Sequence, residues 1–164
     1  MPFPKNQGGV NLTATYSSVG EAPFSLGTVI ELNDGSVAKF VESSASACSS
    51  FAAVTISETN IATMLTTGIA RSAGNHVAFA QTSIGTGRCG WVQIGGTPKV
   101  NLAANCAPFV NLYTTATAGV LDDATVSGSG GLVAGVFAGT SISNATAVTC
   151  RVNMGPFVVP LVGS

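Results

Sequence analysis

VAFAQTSIGTGRCGWVQIGG, residues 77–96, is the segment that indicates the fold most strongly, and TPKVNLAANCAPFVNLYTTATAGVLDD, residues 97–123, continues it. In both segments apolar residues alternate with small polar ones in short runs that glycine interrupts. This pattern is typical of consecutive β-strands joined by tight turns. The segment also holds the single tryptophan of the chain, Trp91.

The same pattern extends to both sides. Residues 24–41 predict a β-hairpin, because Asp34-Gly35 lies between two β-rich runs and glycine tolerates the positive φ that such a turn needs. Many short strands with glycine turns predict an all-β fold, an antiparallel β-sandwich or barrel. No fixed internal period is apparent, which disfavours a repeat array. Further strands are expected at Phe51–Ser57, Val77–Gln81, Cys89–Ile94, Lys99–Ala103, Phe109–Tyr113, Leu132–Phe137 and Ala145–Asn153, with turns at Gly95-Gly96, Asp122-Asp123 and residues 127–131.

Three segments depart from the strand pattern. Thr59–Ile69 predicts at most one short helix, because apolar residues recur there at helical spacing, and a strand followed by a loop is the alternative. Residues 1–22 predict an extended N-terminal arm, and residues 23–164 a single β-rich domain with a C-terminal tail. In that tail Pro156 and Pro160 flank Phe157, which predicts pairing only at a sheet edge.

The chain is unusually poor in charge. Charged residues make up 8% of it, compared with about 25% in an average soluble protein. Such a surface suits a protein whose faces are buried against partners. The net charge is −1 and the six basic residues are scattered, so we expect no nucleic-acid binding. No apolar run is long enough for a membrane helix, and no secretory signal pattern is present, so we expect synthesis in a cytoplasm.

No residue set in the sequence predicts catalysis, a cofactor or a metal site. The four cysteines are widely spaced and the chain has one histidine, His76, so zinc has no plausible ligand set. Buried or half-buried thiols are expected, and three disulfide pairings remain open if the protein is oxidised later. Asp122 and Asp123 are adjacent carboxylates, but we expect a surface turn, because consecutive side chains point apart. A hydrolase would have to use His76, and no G-x-S-x-G motif accompanies it.

Four residues are candidates for an interface with other proteins: Trp91, Tyr113, Arg88 and Phe157. Trp91 and Tyr113 could stack on sugars, although core or interface anchors are the favoured roles. Arg88 lies in a glycine-rich turn that strand sequence follows, which favours a solvated turn residue or an interface contact over a phosphate-binding loop.

Three phrases together resemble a known family: LGTVIELNDGSVAKFVESSAS at 26–46, VAFAQTSIGTGRCGWVQIGG at 77–96, and LYTTATAGVLDDATVSGSGGLVAGVFAGTSISNATAVTCRVNMGPFV at 112–158. The resemblance, over residues 26–159, is to the decoration or cement proteins of tailed-phage heads, especially those of cyanophages and other aquatic phages. It implies a β-rich subunit, with a homotrimer favoured. Such a subunit binds the outer surface of the capsid, clamps neighbouring major capsid proteins and carries no catalytic residues. The four cysteines and the proline-rich C-terminus depart from the expected pattern.

Two other functions remain open from the sequence. The first is a host-adhesion or glycan-binding module displayed on the virion, which would use an aromatic platform such as Trp91. The second is a hydrolase that depends on His76. The homo-oligomer, the capsid partner and the virion location are expectations from the resemblance, and they are separate from the composition argument.

Overall fold

The computed structural model describes residues 10–71, 76–125 and 130–160, and it confirms the all-β prediction. A 3-10 turn at Ile69–Arg71 is the helical element of this part of the chain. The strands are Thr15–Tyr16 (β1), Val29–Glu31 (β2), Val37–Ser43 (β3), Ala53–Ile56 (β4), Ile61–Met64 (β5), His76–Ala80 (β6), Cys89–Gly95 (β7), Lys99–Leu102 (β8), Leu112–Thr114 (β9), Leu121–Asp122 (β10), Gly131–Ala138 (β11) and Thr146–Pro160 (β12).

Strands β3 to β7 form a first closed barrel. β3 pairs with β7, β7 with β6, β6 with β4 and β4 with β5, all antiparallel. The circuit closes where β5 pairs with β3 in parallel, at Ser43 and Ala62. Closure removes the free sheet edges that short strands would otherwise expose.

Strands β8 to β12 form a second barrel with the same connectivity. β8 pairs with β12, β12 with β11, β11 with β9 and β9 with β10, all antiparallel. A parallel pairing of β10 with β8, between Leu121 and Leu102, closes this circuit as well. When the strands are numbered along the chain, the five strands of each barrel therefore pair in the same order and in the same directions. The described chain contains an internal structural duplication.

Backbone details outside the strands repeat in the same way. Phe51 donates its N–H to the carbonyl of Ala80, and Phe109 donates to Ala138, 58 positions later. Both phenylalanines have a positive φ, 62° and 58°. This conformation is uncommon for a residue other than glycine, so its occurrence at corresponding positions supports the duplication.

The barrel interiors correspond residue by residue. Alternation along each strand turns one set of side chains inward, and the inward residues are small or aliphatic. The buried residues Val41, Cys48, Val54, Ala62, Ala80 and Val92 of the first barrel correspond to Val100, Cys106, Leu112, Leu121, Ala138 and Cys150 of the second.

The outer face of β3 and β7 is covered by the chain that precedes them. Phe40 and Trp91 point outward from the first barrel and are buried by Phe24 and Tyr16, with ring centroids 5.0 to 5.9 Å apart. The predicted arm, residues 1–22, is described from Val10 onward. In that part β1 pairs with β7, and Val10 is buried in the same cluster.

The structure corrects two of the local predictions for helices and turns. The predicted helix at Thr59–Ile69 is wrong: Ile61–Met64 is strand β5, as in the alternative, because it pairs with β4 and β3 on its two sides. The predicted turn at Asp122-Asp123 is wrong in part, since Asp122 ends β10.

The C-terminal tail is not confined to an edge. Phe157 pairs with Ala134 of β11 and also with His76 of β6, so β12 has a neighbour on both sides there. The tolerance for Pro156 has a local cause, because the β11–β12 register shifts between Ala134 and Val136 and the ladder is interrupted at that point. Residues 161–164 lie outside the described part.

Candidate functional site

The four interface candidates lie in different environments. Trp91 is 1% exposed in the aromatic cluster, so its side chain packs in the core and is not available as a sugar platform. Tyr113 is half-buried on β9, whereas Arg88 is exposed in the turn before β7. Phe157 is 48% exposed on β12. The structure does not gather the four side chains into one patch, because they belong to separate strands and turns.

The contact between the two barrels shows what one barrel can bind. The first barrel receives the beginning of β8: Asn101 donates its N–H to the carbonyl of Phe51 at 2.9 Å and its Nδ2 to the carbonyl of Ser50 at 2.9 Å. The side chain of Gln81 bonds both the N–H and the carbonyl of Lys99, at 3.0 and 3.1 Å. The Lys99 ammonium lies 5.5 Å from the centre of the Phe51 ring, within cation–π range.

The corresponding surface of the second barrel has no such cover in the described chain. We call it the Phe109 face, and it consists of Phe109, Phe137, Gly139, Arg151 and Asn153. Phe109 is 75% exposed, and the face encloses a hollow of about 450 Å³. Phe79, which corresponds to Phe137 in the first barrel, is fully buried. The Phe109 face is thus an open copy of a surface that is buried in the first barrel.

Within the described residues, the first barrel does not offer a free strand edge that could bind to the Phe109 face of another copy of the chain. β3 corresponds to β8, and its edge is taken by the chain around β2. Gly27 donates its N–H to the carbonyl of Phe40 at 2.8 Å, and Phe40 donates to the carbonyl of Thr28 at 2.8 Å. The first barrel therefore has no free edge equivalent to that of β8.

The carboxylates of Asp122 and Asp123 converge, contrary to the expectation that they point apart. Together with the Cys106 thiol they place their polar atoms within 4.8 Å of one another. Asp123 accepts the N–H of Ala107 at 2.8 Å. Burial and the hydrogen bond with Asp123 raise the pKa of Asp122. Backbone N–H groups already donate hydrogen bonds to both carboxylates, so we interpret this cluster as a structural turn.

The four cysteines are buried and free. Burial raises the pKa of Cys48, Cys89 and Cys106. Burial, and secondarily the nearby Cys106 thiol, raise the pKa of Cys150 to about 12. Reactive thiols need a lowered pKa and access to solvent, so these cysteines pack as small apolar side chains. Cys48, Cys106 and Cys150 lie inside the barrels, and Cys89 lies in the aromatic cluster outside the first barrel.

His76 begins β6 and is exposed. Within the described ranges its ring contacts neither an acid nor a nucleophile that would form a catalytic set. Within those same ranges the chain forms no helix that is long and apolar enough to span a membrane.

Comparison of the chain with protein-family models, with curated proteins and with solved structures found no match. The structure therefore defines the fold class alone: the protein is all-β, with a closed barrel core and additional strands.

Proposed function

We propose that the protein is a structural, non-catalytic virion subunit that decorates the outer surface of a phage head and stabilises contacts between major capsid proteins. The charge-poor composition and the resemblance over residues 26–159 support this proposal. The chemistry of the described chain also supports it, because the thiols are buried and the Asp123 carboxylate accepts a backbone hydrogen bond.

The observation that carries the proposal is the open Phe109 face. An exposed apolar surface with a hollow marks a binding surface in a soluble protein. Its counterpart in the first barrel is buried against an extended strand, which shows the shape of segment that such a surface accepts. Arg151 adds an exposed positive charge, so the favoured partner is an extended capsid-protein segment with an acidic side chain.

A foreign partner fits this surface better than a second copy does. A second copy would have to offer the edge of β3, and the chain around β2 already occupies that edge. The proposed homotrimer would therefore form through other surfaces, and exposed Phe157 is a candidate for them.

Imaging of reconstituted heads tests the proposal. Wild-type protein mixed with expanded, undecorated heads of the parent phage should add density at the shell surface. Phe109→Ser should abolish that density while the purified variant keeps its oligomeric mass and thermal stability. Val19→Ser removes another exposed apolar side chain and serves as the matched control, which should decorate normally. Absence of wild-type density would refute the proposal.

The adhesion alternative gives a different outcome. A glycan-binding module would bind a glycan array as isolated protein, with a platform other than the buried Trp91. Saturable array binding together with bare heads would replace the capsid proposal with that one.

A further inference from the structure

One end of the first barrel is an open mouth that carries two nitrogen-bearing side chains. Four residues from four strands point into it: Lys39, Ile56, His76 and Ile94. Each lies two positions along its strand from a residue of the barrel interior. Because side chains alternate along a strand, all four face the barrel axis.

The mouth contains a cavity of about 200 Å³. Its walls are mainly apolar and include Val29 from β2 and Val77 from β6, in addition to Ile56 and Ile94. The volume is smaller than the roughly 300–1,000 Å³ of sites that hold drug-sized ligands. The mouth therefore fits a short apolar group and excludes a long lipid chain or a folded partner.

Both polar side chains of the mouth can donate hydrogen bonds. A lysine ammonium offers three donors and no acceptor, and an imidazole always offers at least one N–H. Among the described residues neither side chain has a hydrogen-bond or ion-pair partner, and no acidic residue of that part lines the cavity. The chain has few basic residues, so two nitrogen-bearing side chains beside one apolar cavity form a concentrated site for an anion.

The second barrel shows that the fold does not require these groups. Pro98 and Thr114 occupy the positions that correspond to Lys39 and Ile56, and the β9–β11 register places Gly131 at the position that corresponds to His76. Thr114 is buried and uses its hydroxyl to accept the N–H of Gly131 at 2.9 Å, which ties that end of the barrel internally. The nitrogen-bearing side chains are an addition to the first barrel alone, which favours a role in binding.

We propose that the mouth of the first barrel binds a small carboxylate with a short apolar stem. The carboxylate accepts hydrogen bonds from Lys39 and His76, and the stem lies against Ile56 and Ile94. This site is separate from the Phe109 face, and its occupation does not depend on capsid binding.

Titration of the full-length labelled protein with hexanoate, followed by NMR, tests the proposal. The methyl signals of Ile56 and Ile94 should shift and saturate. Lys39→Met keeps the apolar stem but loses the charge, and it should weaken binding about tenfold or more, the loss expected for a charge-assisted hydrogen bond. Arg88→Gln removes the same charge from an exposed turn and should bind hexanoate as wild type does.

Two related probes separate the parts of the interaction. Hexanol retains the stem without the charge and hexylamine reverses the charge, so both should bind much more weakly than hexanoate. Unchanged hexanoate affinity in Lys39→Met, equal binding of hexylamine, or no saturable shift at these methyl groups up to millimolar hexanoate would each overturn the proposal. Capsid decoration is measured independently, so its failure leaves this result intact.

Discussion

Replacement of Gly119 by alanine should destabilise the protein through the contact between the barrels. Gly119 has φ of 75°, and a Cβ there would lie 2.5 Å from the Cβ and 3.2 Å from the Cα of Ala52. A left-handed alanine costs about 1–2 kcal/mol, and overpacking against backbone adds about 1–3 kcal/mol. We expect the free energy of unfolding to fall by about 2–5 kcal/mol, which lowers Tm by roughly 5–15 °C in a chain of this size.

Gly35 provides the matched control. Its φ is 78°, and a Cβ there would have no neighbour within 4 Å, so Gly35→Ala should cost only the left-handed penalty of about 1–2 kcal/mol. Urea unfolding followed by tryptophan fluorescence and by far-UV circular dichroism measures both variants. The difference between them isolates the inter-barrel contact. If Gly119→Ala loses no more stability than Gly35→Ala, the close packing of the two barrels at Ala52 is refuted.

Three further predictions concern thiols, carboxylates and the N-terminal segment. The pKa of Cys150 is raised from about 9 to about 12; the folded state therefore holds its proton more tightly, and the resulting stability is present below pH 9 and lost as pH rises toward 12. Replacing Cys150 with valine, as at the corresponding first-barrel position, should reduce that alkaline loss in unfolding curves at pH 8 and 11. Asp122→Asn should be neutral or stabilising at pH 7, because the folded state disfavours the charged form of Asp122. Asp123→Asn should instead cost about 1 kcal/mol, because it weakens the hydrogen bond from the Ala107 N–H. Equal shifts of Tm in the two variants would contradict this. Deletion of residues 1–24, which removes both Tyr16 and the Phe24 ring that packs on Trp91, should expose Trp91. The change would be seen as a red-shifted emission with stronger acrylamide quenching, and an unchanged spectrum would contradict this packing.

The local turn and strand signals predicted much of the fold. The hairpin at Asp34-Gly35 is present, with Gly35 at a positive φ. β7 begins at Cys89, as alternation indicated. These features depend on near neighbours in the chain, so the sequence pattern contains them. The predicted strand at Phe109–Tyr113 begins later, at Leu112, because Phe109 adopts a left-handed conformation.

The misassigned segment at Thr59–Ile69 shows what local pattern cannot supply. Apolar residues there recur at helical spacing, yet β5 is a strand because it closes the first barrel between β4 and β3. The partners of β5 are set by tertiary closure, which overrides a weak helical propensity. The parallel closing pair joins residues that are distant in sequence, and no local signal marks it.

The duplication has left a trace in the sequence, although no fixed period is apparent. FAQTSI at 79–84 returns as FAGTSI at 137–142, and Cys48 and Phe51 return as Cys106 and Phe109 at the same separation. Two copies are too few to produce a visible period, and the rest of each copy has diverged. Alignment of these short segments would have predicted that the Phe109 face is the counterpart of the Phe51 surface, which is buried in the first barrel.

The arrangement of the barrels explains why one face is left open. The contact between them is head-to-tail, since the first barrel uses its Phe51 surface and the second uses the edge of β8. A head-to-tail pair always leaves one surface of each kind unfilled. The chain around β2 fills the free edge, so the unfilled surface is the Phe109 face. At the position of Gln81, whose amide bonds Lys99 in the first barrel, the second barrel has Gly139. Because the Phe109 face lacks that amide, it is better suited to a foreign partner than to another copy of the barrel.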